Sequence, residues 1–466
     1  MNRFLITLKS LIKKVSLTEK LFPIIIFSVA MLVKLISFEI SQVPFNSDGV
    51  EYHNLAVNLV KHHAYSFVPG NGEPTAYREP GYPFFLATCY SIWDFFGGKL
   101  TMVSDKEHET SYLTRSYPEM DFIRFIQIIV SSISCIFFYL TLRIIFKERF
   151  SFFVITCYVL FSATSLYPAD LQLLRESIQT SLAIISSYFF AKFIYFKNNS
   201  AFIIFSFLIA ILALILKVAV VIPFLVFLFI WLEYRNVWKS LSYTLVSGII
   251  IILLSVPWLL RTYHYYPDAR TFLSWGTTLT FAKMNYFVVS NDLKELGGQN
   301  NPDLGNDIDL FPAGIKESFD KTYNGYYEMQ TVKVKKAILK IDPYYFYKKP
   351  LKLFILSLKT FTYTTIIEFK HEEVFLNPVK IKFIQILGVI FGLLFFTGIV
   401  SGAYKFYYLF IGNLSYLILF FFIFPSNYQR HYLPCYPFYI FSVVLGGVLL
   451  YKITTRVLLT IKSKNQ

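Results

Sequence analysis

Residues 201–232 carry one charged side chain, Lys217, in a run otherwise built from aliphatic, aromatic and small residues. At about 1.5 Å per residue such a run is roughly 48 Å long as a helix, while a bilayer core is about 30 Å thick. A single straight span therefore does not fit, and the run is expected to cross the membrane twice, as residues 201–216 and 219–233, with Lys217 in the turn. Buried in hydrocarbon, that lysine would cost about 2.5 to 3.5 kcal/mol. At a turn beside the headgroups most of the cost is removed, whether the ammonium snorkels to lipid or meets a ligand.

The rest of the chain repeats the pattern. Hydrophobic residues make up 55% of the 466, aromatic residues 19%, and mean hydropathy is +0.52. This is the composition of a polytopic, all-α membrane protein. Apolar runs mark ten spans at 21–40, 122–142, 150–168, 176–196, 201–216, 219–233, 240–260, 382–400, 405–424 and 433–451. The first is longer than a signal-peptide core and lacks a small-residue cleavage pattern, so it is read as a retained span. The formal net charge of +15 does not indicate nucleic acid, because the basic residues flank apolar runs. Arg3, Lys9, Lys13, Lys14, Lys20, Arg143, Lys147, Arg149, Lys192, Lys197, Arg235, Lys239, Lys405, Lys452 and Arg456 all fall on one side of these spans. The positive-inside rule makes that side cytoplasmic, with both termini on it.

Two long segments, 41–121 and 262–381, then lie on the opposite face, and function is expected there. Three regions follow: an N-terminal transmembrane module at 1–261 that includes the outer loop 41–121, the second outer segment at 262–381, and C-terminal spans at 382–466. In the second segment Leu351, Phe354, Ile355, Leu358 and Phe361 recur at helical spacing, as an interfacial helix or a short extra span over 351–367. Cys89, Cys135, Cys157 and Cys435 are scattered, and no disulfide framework or cysteine metal site is indicated.

In the first outer loop Tyr52, Leu55, Ala56 and Leu59 repeat at three- and four-residue steps, with His53, Asn54, Asn58, Lys61 and His62 largely elsewhere. That periodicity predicts an amphipathic helix at the membrane surface, opened by Asp48. Two readings of Asp48 stand together. With Glu51 it spells a helix-capping box, and as an interfacial carboxylate it is placed to take a proton from an acceptor hydroxyl. His62 and His63 lack metal-ligand spacing. Asp170 reads as a polar residue flanking a helix.

The sequence of this loop resembles the first outer loop of the GT-C membrane glycosyltransferases. The matching residues are Asp48, Tyr52, Ala56 and Leu59, then Tyr65-Ser66, Pro74-Thr75-Ala76-Tyr77-Arg78, Gly81-Tyr82-Pro83 and Leu86-Ala87. That superfamily includes the protein mannosyltransferases, the lipid A aminoarabinose transferases and their bacterial relatives. Glu79 departs from the pattern, since relatives have proline there. Further matches are Arg124 at the start of the second span, Arg175-Glu176-Ser177 opening the fourth, and Lys217. Pro257-Trp258 with Arg261 resembles the end of the family's seventh span. Arg430-His431-Tyr432 with Leu433-Pro434 resembles the start of the last, with His431 inserted.

The resemblance implies a GT-C-like bundle of about ten spans with interfacial helices in the first outer loop. It implies an inverting glycosyltransferase of the bacterial cytoplasmic membrane, working on the outer face, with Asp48 as general base. The donor would be a polyprenyl-phosphate sugar, and the acceptor a cell-envelope glycan, lipid or protein bound under 262–381. Arg78, Arg124, Lys217, Arg261 and Arg430 are candidates to hold the donor phosphate. Glu51, Tyr52, Glu79, Glu176, His431 and Tyr432 complete the expected substrate contacts; Arg124 and Glu176 also have the local pairings Asp121 and Arg175 or Lys192 open to them. The metal-using branch of the superfamily carries a DxD motif, which Asp48 and Glu51 do not spell, so neither metal nor cofactor is expected. Nucleic acid is not an expected partner. The rival reading is a transporter or flippase of lipid-linked glycans, which should carry charges inside its spans; a glycan polymerase or ligase is a third.

Overall fold

The computed structural model describes residues 21–39, 47–67, 74–76, 78–103, 117–164, 169–215, 221–265, 339–341, 343–344, 394, 397–398, 404–418 and 434–464. Lys217, Arg430, His431 and Tyr432 lie outside the described residues, as does nearly all of 266–403. The described part is helical throughout. In chain order it consists of α1 (Leu21–Glu39), α2 (Ser47–His62), α3 (Gly81–Phe95), α4 (Pro118–Arg143), α5 (Glu148–Thr164), α6 (Arg175–Phe196), α7 (Asn199–Ile215), α8 (Val221–Tyr234), α9 (Val237–Tyr265), α10 (Ile411–Ile418) and α11 (Tyr436–Lys464). Short 3₁₀ turns, Ala169–Leu171 and Tyr404–Phe410, precede α6 and α10.

The chain is a helical membrane protein. Among the described residues four helices, α1, α4, α9 and the stretch Tyr436–Thr460 of α11, are long and apolar enough to cross a bilayer, and α7 and α8 are shorter apolar helices. Helix α7 is described to Ile215 and α8 from Val221, so the turn expected at Lys217 lies outside the described residues. Exposed apolar side chains such as Ile24, Leu32 and Ile36 on α1, Ile203 and Phe207 on α7, and Ile252 and Leu253 on α9 form the surface that suits acyl chains.

Helix α6 is central and packs against α4, α7 and α10. Lipid tails are as apolar as leucine, so association within a bilayer relies on close contact and not on hydrophobic exclusion. Small residues supply that contact. Ser177, Ser181, Ala183, Ser186 and Ser187 are all buried on α6, and a Cβ on Gly412 of α10 would sit 2.5 Å from the Ala183 carbonyl oxygen. Aromatic rings fill the wider gaps: Phe190 lies 4.9 Å from Phe205 and Phe193 4.9 Å from Phe202, centroid to centroid.

One end of the bundle gathers the starts of α4 and α6 and the ends of α7 and α9 beneath α2 and α3. Leu173 and Ile178 from around the start of α6 join Met120 and Ile123 of α4, Ile215 of α7, and Tyr52, Tyr82, Leu86, Cys89 and Tyr90 of α2 and α3 in a second core. Asp48, Arg78, Arg124, Glu176 and Arg261 thus share one end, as the spans drawn from charge require. At the other end Lys197 pairs with Glu233 at 3.2 Å, and Lys239 stands 3.6 Å over the Tyr234 ring.

Two expectations are corrected. The apolar face of α2, expected to meet the bilayer, is buried in protein: Tyr52, Leu55, Ala56 and Val57 are at most 2% exposed and α2 lies on α3. Its expected polar side is buried in part, although Lys61 and His62 stay exposed. His53 and Asn58 are fully enclosed, because the polypeptide that returns over α2 offers them carbonyl partners at Thr101 (2.7 Å) and Ser66 (3.0 Å). The second correction concerns Asp170. It flanks α6 as expected, but it is not merely a polar flank, because its carboxylate forms a largely buried ion pair with Lys34 of α1.

Candidate active site

Asp48 and Glu51 stand three residues apart at the start of α2, so their side chains leave the same face. Both close on Arg78, which comes from the segment returning between α2 and α3. Its Nη2 donates to Asp48 Oδ1 at 2.6 Å, and its Nε donates to Glu51 Oε2 at 2.8 Å. The planar guanidinium can serve two carboxylates at once in a way that an ammonium cannot. Asp48 keeps 26% of its side-chain surface exposed, so the cluster borders on open space.

Beneath Arg78 lies Tyr52, its ring centroid 5.1 Å from the guanidinium carbon and 5.0 Å, edge-on, from the ring of Tyr82. Burial pushes the Tyr52 phenol up to about 12, against the opposing pull of Arg175 and Arg78. It is therefore a neutral platform for the cation at ordinary pH.

Glu79 points the other way from Arg78 along the same segment and accepts a hydrogen bond from Arg175 Nη1 at 2.8 Å. It is 3% exposed. Arg175 opens α6, where the positive end of the helix dipole disfavours a cation; the carboxylate of Glu79 compensates. The acid that departs from the family pattern thus fastens the loop to the bundle.

Arg261 at the end of α9 holds the loop from behind. It donates from Nη1 to the Thr75 carbonyl at 3.0 Å and from Nη2 to the Tyr65 carbonyl at 3.2 Å, and lies 4.6 Å over the Trp258 ring. The Tyr65 hydroxyl completes the brace by donating to the carbonyls of Arg78 (3.1 Å) and Glu79 (3.2 Å). Pro257, inside α9, withholds a backbone donor one residue before Trp258, the buried ring on which this stack rests.

Of the sequence-predicted site residues, the structure brings Asp48, Glu51, Tyr52, Arg78 and Glu79 into one network, with Arg261 behind it. Glu176 follows Arg175 on α6; its Oε2 is buried with no hydrogen-bond partner among the described residues, as is Nε2 of Gln179 one turn on. The local pairing expected for Glu176 does not reach this oxygen. Arg124 pairs with Asp121 at 3.0 Å and lies 6.0 Å over the ring of Phe38, at the end of α1.

Sequence reasoning passed over two residues. It weighted Glu176 in the Arg175-Glu176-Ser177 motif, although Arg175 makes the ion pair to the loop. It also passed over Lys34, which a charge inside the first apolar run should have flagged. No group of three histidine, cysteine or acidic side chains is arranged to hold a metal ion among the described residues. All four cysteines are free thiols.

Three carboxylates, Asp48, Glu51 and Glu79, share two guanidiniums, Arg78 and Arg175. The network is therefore not a surplus of positive charge. Within this network an incoming anion gains Arg78 or Arg175 by drawing it away from an acid, and that exchange would release a carboxylate. No family model matches the chain, and no curated protein matches it in sequence.

Proposed function

We propose that this protein is an inverting membrane glycosyltransferase, a bundle of about ten spans in the bacterial cytoplasmic membrane, with its site on the outer face. A polyprenyl-phosphate sugar is the donor, and a cell-envelope glycan, lipid or protein is the acceptor. The donor phosphate takes Arg78, and the Asp48 carboxylate, freed from its counter-ion, accepts the proton of the acceptor hydroxyl as that oxygen attacks the anomeric carbon. The bond from that carbon to the phosphate oxygen breaks, and the lipid phosphate leaves with its charge opposed by arginine.

The observation that carries this reading is the partly exposed Asp48 carboxylate bonded to Arg78 at the end of the bundle where the long first loop returns. The buried Glu176 and Gln179 side chains add support. Each has a polar atom with no protein partner among the described residues, and such atoms are costly unless a hydroxyl-bearing ligand or water meets them. Asp48→Asn should abolish sugar transfer from a lipid-linked donor in isolated membranes while protein level is unchanged. Normal turnover by that variant sinks the assignment.

A second reading, a transporter or flippase of lipid-linked glycans, is favoured by the charge pair Lys34–Asp170 inside the bundle. The two separate in a deletion strain. Loss of transfer leaves the charged donor on the outer face, whereas loss of flipping leaves it on the cytoplasmic face.

A further inference from the structure

Lys34 of α1 is 6% exposed and reaches Asp170 across α4. Lys34 also donates to the Ser131 hydroxyl at 2.8 Å, and Ser131 donates to Asp170 Oδ2 at 2.9 Å. Ser177 of α6 donates to the other carboxylate oxygen. Ser131 lies two turns along α4 from Arg124, or about 10 Å further into the bundle. The Lys34 side chain is 7% exposed and that of Asp170 15%, so an unmatched charge on either is poorly solvated where it stands.

The carboxylate is not isolated from the site above it. Asp170 begins the stretch 170–174 that leads directly into Arg175. Gln127 of α4 holds that stretch from one side, donating from Nε2 to the carbonyls of Asp170 (3.0 Å) and Gln172 (2.9 Å). The same Gln127 accepts from the Tyr82 hydroxyl at 2.6 Å, and Tyr82 meets Tyr52 edge-on under Arg78. Leu173, in the middle of the stretch, is 1% exposed and packs in the core that holds Tyr52, Tyr82 and Cys89.

We propose that Lys34 is a positioning residue: its ion pair with Asp170 fixes the turn before α6 and thereby sets Arg175 against Glu79 and Leu173 beneath α2 and α3. The pair fastens α1, most of whose surface is exposed, to the bundle, and ties the first span to the site through the hydrogen bonds of Ser131, Gln127 and Tyr82 and the ring contact of Tyr82 with Tyr52. Removing one partner leaves a buried charge that must move to find water, and the turn moves with it. This acts on the geometry of the site whatever group is transferred there, so its test needs no substrate.

The test is thiol labelling in isolated membranes with a membrane-impermeant maleimide, read cysteine by cysteine by mass spectrometry. Cys89 is 7% exposed and shares its core with Leu173, while Cys435 is fully buried beside α11. Lys34→Met and Asp170→Asn should each raise the labelling rate of Cys89 at least tenfold over wild type, with Cys435 changed less than threefold. Lys34→Arg, which keeps the charge, should stay within threefold of wild type at both. The double variant K34M/D170N, with no unmatched charge, should fall below either single variant. Cys89 labelling within twofold of wild type in both single variants overturns the positioning role. An equal rise at Cys89 and Cys435 also overturns it, because that reports general loosening. Membranes with a low yield of one variant still give a rate, and failure of Asp48→Asn to affect transfer leaves this outcome untouched.

Discussion

Glu79 and Arg175, 96 residues apart in the chain, form a 2.8 Å ion pair that joins the first long loop to the start of the central helix. It links the segment carrying Arg78 directly to the membrane bundle, as Arg261 does further back along the loop. Glu79 is nearly inaccessible, so its charge depends on Arg175 for compensation.

Breaking that pair should be costly and mending it by neutralisation should not. Glu79→Gln or Arg175→Met alone is expected to lower stability by about 3 to 5 kcal/mol, because each strands a buried charge. The double variant should recover at least half of the loss. Thermal unfolding of the four proteins in detergent gives the coupling directly; purely additive losses would show that the two side chains do not depend on each other.

Arg78→Lys keeps the charge and loses the fork. One ammonium cannot hold Asp48 and Glu51 in the spacing set by Nε and Nη2, so both carboxylates should drift. Initial rates of transfer in membranes are expected to drop by about 10- to 100-fold, the scale of a misplacement near the reacting groups. Equal rates for Lys and Arg at this position would remove the fork from the mechanism.

His53 gives the loop a pH dependence. It is fully buried, it accepts from the Tyr90 hydroxyl at 2.6 Å and donates to the Thr101 carbonyl at 2.7 Å, and burial pushes its imidazole down to about 4 despite that carbonyl. Unfolded, it would take up a proton near 6.5, so the folded state binds fewer protons over the interval from 6.5 down to 4. Stability is therefore full above about pH 6.5, falls as pH drops to about 4, and is flat with respect to this group below that. The whole effect is of order 3 kcal/mol. His53→Gln should flatten the curve of melting temperature against pH in that window, and an unchanged slope would assign it to another group.

Gly81 marks a close approach of α3 to the end of α7. A Cβ there would lie 2.8 Å from the backbone nitrogen of Ile215, which cannot rotate away. Gly81→Val should displace the start of α3, lower the melting temperature by several degrees and raise protease cleavage between α2 and α3. A melting temperature equal to wild type would mean that α3 stands further from α7.

Hydropathy and charge, which are properties of short stretches, were sufficient to place α4, α6, α7, α8 and α9 to within a few residues. They also put Arg78, Arg175 and Arg261 at one end of the bundle, because a span of fixed length decides which loops share a face. The periodicity of Tyr52, Leu55, Ala56 and Leu59 marked α2 and opened it at Asp48, one residue after the observed start. None of this specified what those side chains would touch. His53 and Asn58 looked solvent-facing because a helix reports only its own angular order, and only the return of the chain through Ser66 and Thr101 supplied the carbonyls that bury them. Lys34 and Asp170, 136 residues apart, and Glu79 and Arg175 are pairs of charges that look, one at a time, like interface anchors. Their partners are set by helix packing, which brings together groups that no local pattern connects, and in a medium of low dielectric that choice of partner decides whether a buried charge is stable.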